Sequence, residues 1–230
     1  MLRLAVLISG RGSNMQALID YTSQSDVPAS IVAVIADNPA EGCDIAAAAN
    51  IPASVINKSD FENKAGFEQA LADYIDPLNV DLICLAGFMS VLSADFCQRY
   101  HGQIINIHPS LLPAYKGLDT HQRAINDQAS LHGCSVHIVT AQIDAGTILA
   151  QKSVAVHADD TKDTLAARVL AEEHVIYPMV VGAFAAGLLT LEQHKDHITP
   201  IMTSGILPGI IGGQRHLAWP IEENSHLILI

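Results

Sequence analysis

Leu2-Arg3-Leu4-Ala5-Val6-Leu7-Ile8-Ser9-Gly10-Arg11-Gly12-Ser13-Asn14 follows Met1 and decides how the rest of the chain is read. From Leu2 to Ile8 the run is apolar except for Arg3, the mark of a strand buried on both faces. Gly10-Arg11-Gly12 breaks it, and Met15, Leu18 and Ile19 then recur at helical spacing. Strand, glycine loop and helix form the first unit of an α/β protein. Glycines let backbone approach a phosphate, and the N–H groups of Gly12, Ser13 and Asn14 point outward at the helix start, so the loop reads as an anion site. Two other readings stay open. A dinucleotide fingerprint needs a third glycine at 15, where Met15 stands, although Asp37 after the second strand could mimic the ribose-binding acid. Alternatively the loop is a tight turn with Ser13 as a helix cap.

Outward from this unit the alternation continues. Apolar runs at 31–36, 53–56, 81–86 and 103–107 read as strands. Residues 44–50, 61–78 and 121–128 read as helices, as does a segment reaching Tyr100 with Ser93 as its N-cap. The pattern then changes. Residues 135–140 and 147–156 predict two longer strands joined by Gln142-Ile143-Asp144-Ala145-Gly146, a turn signal. A long helix capped by Thr161 follows to about Ala186, with a kink or break expected at Pro178 and a small edge strand at 188–191. The expected fold is α/β, a Rossmann-like, mixed and mostly parallel sheet with helices on both faces and a late antiparallel hairpin. Residues 1–191 are expected to form one catalytic domain, whose halves run to about residue 100 and from 101 to 191. Prolines and glycines predict an irregular tail over 192–230, with a final strand at 225–230.

Half of the 230 residues are hydrophobic and 16% are charged, enough for a buried core and too little charge for disorder. The formal net charge of −12 repels a nucleic-acid backbone, so no nucleic-acid partner is expected. Apolar stretches are interrupted well short of a membrane span, and no secretory signal stands at the start. Cys43, Cys84, Cys97 and Cys134 show no metal-ligand spacing. They read as reduced thiols of a cytoplasmic protein, and no metal is expected.

The chemistry concentrates in Asn106-Ile107-His108-Pro109-Ser110-Leu111-Leu112-Pro113. Asn106 and His108, two apart at a strand end, share one face. Ligands of open α/β sheets sit at strand C-terminal ends. An amide donor beside an imidazole suits acyl transfer: both can donate to the oxygen that gains charge when an amine attacks a carbonyl-type carbon. Asp144 is the best candidate to hold the imidazole and, by raising its pKa, to favour imidazolium. Each residue also has a structural reading, as a hydrogen-bonded strand-end His, a loop-capping Asn and a turn Asp.

The Asn106–Pro113 string together with Asp144 resembles the formyltransferases that use 10-formyltetrahydrofolate. Ile8-Ser9-Gly10-Arg11-Gly12-Ser13-Asn14, Leu85-Ala86-Gly87-Phe88-Met89, Gly133-Cys134-Ser135-Val136-His137 and Glu173-His174-Val175-Ile176-Tyr177-Pro178 extend the resemblance over residues 2–191. It lies toward those members that formylate the amine of glycinamide ribonucleotide in purine synthesis. The resemblance implies Asn106, His108 and Asp144 as the catalytic trio. It implies Gly12, Ser13, Asn14 and Glu173 as acceptor-binding residues, agreeing with the anion-site reading. For the folate it implies Lys64 at the glutamate tail, and Met89, Ser90, Val91, Leu92, Thr140, Ala141, Gln142, Ile143 and Asp144, with Asn106, around the pterin. The implied partners are these small molecules, with no metal, to a monomer or homodimer. Three positions depart from the family: Ser90 replaces a common Arg, Leu170 a polar Gln near the acceptor, and Asp119 a His in the loop after Pro113. Formyltetrahydrofolate hydrolysis, which uses the same trio, is the alternative reaction. A methionyl-tRNA formyltransferase would need basic charge and an RNA-binding domain, and a non-catalytic or NAD-binding module would leave the trio without a role.

Overall fold

The computed structural model describes residues 1–193 and 197–211, and beyond them the backbone of 214–215, 218–219 and 227–228. Strands and helices alternate as β1 (Leu2–Ile8), α1 (Ser13–Thr22), β2 (Ala29–Ala36), α2 (Gly42–Ala48), β3 (Ala53–Val55), α3 (Lys64–Ile75), β4 (Leu82–Leu85), α4 (Ala94–Arg99), β5 (Ile104–His108) and α5 (Thr120–Asn126). Then come β6 (Leu131–Ile138), β7 (Ile148–Ala155), α6 (Lys162–Ala185), β8 (Leu189–Gln193) and β9 (Ile198–Met202). The main sheet is eight-stranded in the order Leu227–Ile228, β7, β6, β5, β4, β1, β2, β3. Pairing is parallel from β5 through β4, β1 and β2 to β3, and antiparallel from β5 through β6 to β7 and the Leu227–Ile228 pair. This is the mixed, mostly parallel sheet with a late hairpin that the sequence predicts.

Period-two alternation divides the core. Leu4, Val6 and Ile8 of β1 join Met15 and Leu18 of α1 and Val169, Ile176 and Val180 of α6 in one cluster. Leu7 points the other way, into a cluster with Phe67, Leu71 and Ile75 of α3 and Phe96 of α4. Ile105 and Ile107 belong to the first cluster and Ile104 to the second. Asn106 and His108 therefore share the α3–α4 face of the sheet.

Caps explain the helix starts. The Ser93 Oγ accepts the Phe96 N–H at 3.1 Å, and Thr161 and Thr164 form a reciprocal capping box on α6. Helix α3 begins at Lys64 rather than at 61, because the Asn63 side chain accepts the Gly66 N–H at 2.9 Å and fixes the first turn there. It passes into a 3₁₀ turn at Asp76–Leu78. The expected break at Pro178 does not occur, and α6 runs through it. The missing hydrogen bond costs about 3 kcal/mol. Ile176, Tyr177, Met179, Val180 and Val181 around it are buried, and each such side chain recovers about 1.5–3 kcal/mol, so packing outweighs the proline.

The expected edge strand at 188–191 exists as β8, but it pairs with β9 in a separate two-stranded sheet instead of extending the main one. Where the sequence predicts an irregular tail, Ile198, Leu207 and Ile211 are buried in the first core cluster, and the Tyr21 hydroxyl donates to the Pro208 carbonyl at 2.9 Å. Of the expected final strand, Leu227 and Ile228 pair with Lys152 and Gln151 of β7, and 225–226 and 229–230 lie outside the described residues. Among the described residues no helix is long and apolar enough to cross a membrane.

Candidate active site

Strand β1 pairs with both β2 and β4, so the chain winds away from it in two directions, and the crevice at its C-terminal end is the natural ligand site of such a sheet. The glycine loop forms one wall of that crevice. Gly12 stands at φ 75° and its carbonyl accepts the Gln16 N–H at 2.8 Å, starting α1. A Cβ here would meet the Met15 Cε at 2.9 Å and the Gly42 Cα at 3.1 Å, so backbone conformation and space both require glycine. The first-turn N–H groups from Ser13 onward have no intrahelical acceptor and face outward. Asn14 is buried behind them. Its Nδ2 donates to Glu173 Oε2 at 2.6 Å, and its Oδ1 is buried without a partner. Burial raises the Glu173 pKa, against the lowering effect of the Asn14 bond. The sequence reading missed His174: its Nε2 is buried and unpartnered, and the ring lines a cavity of about 260 Å³ with Ser13, Gln16, Asp20 and Ile211.

The loop after β4 lies beside the glycine loop. Ser9 N–H donates to the Gly87 carbonyl at 3.1 Å, and Met89 N–H donates to the Ser9 Oγ at 2.8 Å, tying this loop to the glycine loop. Leu85 pairs with Asn106 and Asn106 with His137, which sets Asn106, His108 and His137 on one face across neighbouring strands. The turn between β6 and β7 doubles back over that face. Asp144, at φ 48°, lies with Oδ2 3.5 Å from His108 Nδ1 and Oδ1 3.6 Å from His137 Nε2. Sequence-distant Asn106, His108 and Asp144 thus meet.

Hydrogen-bond chemistry assigns the tautomers. His108 Nε2 lies 3.1 Å from the Tyr115 carbonyl, which can only accept, so Nε2 carries hydrogen. His137 Nδ1 lies 2.9 Å from the Ile138 carbonyl and carries hydrogen for the same reason. Its Nε2 lies 3.2 Å from Asn106 Nδ2, on the same face as the Asp144 carboxylate. Asp144 Oδ2 also accepts the Gly117 N–H at 2.8 Å. His137, Tyr115 and Gly117 carried no role in the sequence reading. Only His137 had a signal, its two-residue spacing from Ser135 on an alternating strand.

The charge on His108 corrects one expectation. Asp144 does raise the His108 pKa, as does the Tyr115 carbonyl, but burial is larger and holds it below the ordinary histidine value. The resting imidazole is therefore biased toward neutral. Asp144 itself stays below the usual carboxylate range: burial pushes it up, and His137, the Gly117 N–H and His108 together outweigh that.

The other residues implied for the folate lie at the start of α3, on the segment after β4 and on the turn between β6 and β7. Phe88 and Leu92 are buried beside Val139 in the α3–α4 cluster, which brings the segment after β4 against the start of the 139–147 turn. Met89, Val91 and Ile143 are exposed apolar side chains, at 62%, 54% and 55%, a rim suited to an aromatic ligand. Thr140 donates through Oγ1 to the Gln142 carbonyl at 3.2 Å within the turn, and Ala141 is exposed there. Lys64, Met89, Ser90 and Val91 line a cavity of about 350 Å³. Ser90 Oγ donates to Asp37 Oδ2 at 2.6 Å, and Asp119 accepts from Lys162 Nζ at 2.7 Å. Among the described residues no group of His, Cys, Asp or Glu is arranged to hold a metal.

Comparison with known proteins identifies the family. The formyl transferase family model matches residues 2–181. The phosphoribosylglycinamide formyltransferase of Haemophilus influenzae is 43% identical over 199 residues, 86% of this chain and 94% of that protein. The trifunctional purine biosynthetic protein adenosine-3 of Bos taurus is 42% identical over 193 residues, and this chain spans 19% of its length. The crystal structure of the phosphoribosylglycinamide formyltransferase of Brucella melitensis superposes with a TM-score of 0.77 at 48% identity, covering 82% of this chain and 98% of that one. With a match over most of its length and these relatives, the chain belongs to the formyl transferase family.

Proposed function

We propose that this protein transfers the formyl group of 10-formyltetrahydrofolate to the amine of glycinamide ribonucleotide, a step of purine biosynthesis. The observation that carries the reading is the meeting of Asn106, His108 and Asp144 on one sheet face, with Asp144 Oδ2 3.5 Å from His108, at the C-terminal end of β5. The acceptor's phosphate sits on the N–H groups of Gly12, Ser13 and Asn14, at the positive end of α1. His174 Nε2 supplies a further donor from beside Ser13, and Glu173 takes a ribose hydroxyl. The folate lies along Met89–Leu92 and residues 140–144 with its formyl carbon at the trio.

The amine attacks that carbon and a tetrahedral species forms. Asn106 Nδ2–H and His108 Nε2–H donate to its oxygen. For this His108 exchanges its bond to the Tyr115 carbonyl for one to the developing oxyanion. A negative charge arriving beside the ring favours imidazolium, the added proton being taken from solvent at Nδ1, where Asp144 accepts it in a hydrogen bond. Asp144, ionised at rest, positions a water that carries the proton from the attacking amine to the leaving N10. The whole of residues 1–191 acts as one catalytic unit, in the cytoplasm, where its four thiols stay reduced.

The test is an assay of purified protein with 10-formyltetrahydrofolate, with and without the ribonucleotide amine. Donor loss and formylated ribonucleotide should appear together and only when the amine is present. Donor consumption with formate release and no acceptor would overturn transfer in favour of hydrolysis.

A further inference from the structure

The cavity of about 350 Å³ beside the Met89–Val91 segment is lined by two lysines, Lys58 and Lys64, over an apolar floor of Phe61 and Phe67. Each lysine stands in front of a buried carboxylate. Lys58 Nζ is 4.0 Å from Asp37 Oδ2, and Lys64 Nζ is 3.9 Å from Glu68 Oε1. Both separations exceed hydrogen-bond length, so neither ammonium spends its donors on its partner. The carboxylates are occupied from behind. Asp37 accepts from Ser90 Oγ at 2.6 Å and from Asn38 Nδ2 at 2.7 Å, and Glu68 accepts from the N–H of Ser93 at 2.6 Å and from the Ser93 hydroxyl. Two ammonium groups, 55% and 48% exposed, are thus drawn to the rim, Lys58 Nζ donating to Ser90 Oγ, with donors left for a ligand.

A ligand that fits has an aromatic body for the phenylalanine floor and carboxylates at its end. On the formyl-transfer reading, the donor presents an aminobenzoyl ring followed by a glutamyl tail. We propose that Lys58, held between Asp37 and Ser90, is a specificity-determining residue that binds a tail carboxylate of the donor together with Lys64. Ser90 cannot reach a carboxylate with a charge of its own. It serves instead to seat the Lys58 ammonium, to which its Oγ lies 3.4 Å.

The experiment measures equilibrium binding by calorimetry for 10-formyltetrahydrofolate and for 10-formyltetrahydropteroate, which lacks the glutamate. The wild-type protein should bind the glutamyl donor more tightly. Lys58→Ala should shrink that preference about tenfold, the scale of one charge-assisted contact at a half-exposed site, and Lys58→Arg should retain most of it. If the alanine variant does not fold with Asp37 left facing no cation, Lys58→Gln gives the same reading with the side-chain length kept. An unchanged preference in Lys58→Ala or Lys58→Gln, an equal loss of both affinities, or no preference in the wild type would overturn the assignment. Because binding is read apart from turnover, a protein that discriminates the tail but transfers no formyl group would sink the catalytic reading and leave this one standing.

Discussion

Asp144→Asn tests the electrostatic core of the mechanism. The substitution keeps the size of the side chain and an acceptor for the Gly117 N–H, and removes only the charge. At the 3.5 Å separation from His108 Nδ1, a full imidazolium would interact with the carboxylate by about 5 kcal/mol at an effective dielectric of about 20. Burial leaves the resting ring biased to neutral, so only the charge that builds during reaction is stabilised. If roughly half develops, about 2–3 kcal/mol is lost, a rate reduction of about 30- to 150-fold. Loss of the proton relay adds to this, so that figure is a floor. Single-turnover rates at saturating donor and acceptor, taken across pH, isolate the effect from binding. Asp144 raises the His108 pKa, so its removal should also move the histidine limb of the profile to lower pH. A loss of less than tenfold together with an unmoved profile would refute the argument.

His108→Ala should lower turnover by about 10²–10⁴-fold, the range of a lost acid and oxyanion donor, while calorimetry shows donor binding retained; near-normal turnover contradicts the mechanism. Gly12→Ala, at φ 75° with contacts of 2.9 and 3.1 Å awaiting the new methyl, should cost at least about 1–2 kcal/mol, seen as a lower melting temperature, and should raise KM for the ribonucleotide. Burial, with help from His121, pushes His132 from 6.5 down to about 4. Its folded pKa is depressed, so the native state resists protonation and stability falls as pH drops from 6.5 toward 4. His132→Gln should flatten that part of the stability curve in urea melts, and an equally steep curve would show that other groups govern it.

The elements that the sequence disclosed carry their signal locally. Ser93 and Thr161 are caps whose partners lie three residues away, and β1 with its glycine loop is one contiguous string. Asn106 and His108 could be placed on one face because strand periodicity needs no knowledge of neighbours. His137 could not be joined to them, since its place opposite Asn106 depends on the antiparallel register of β5 and β6. The bias of His108 toward neutral was hidden for a related reason: the nearby carboxylate can be guessed from sequence, whereas the depth of burial that outweighs it is a property of the assembled fold. At Pro178 the local rule was sound, and tertiary packing overrode it. The Lys58–Asp37–Ser90 arrangement joins three separate loops, and nothing in any one of them announces it.

The Tyr115 carbonyl and the Gly117 N–H come from a single three-residue stretch, yet one engages His108 and the other Asp144. At rest the reacting groups are thus mutually quenched by their own backbone. On the proposed mechanism His108 gives up its backbone contact as the oxyanion develops and replaces it like for like, while Asp144 keeps its own. Such an exchange yields little net enthalpy from polar contacts. Grip on the donor then falls to the apolar rim and the charged tail, and the trio remains free to spend its directional bonds on the short-lived tetrahedral species.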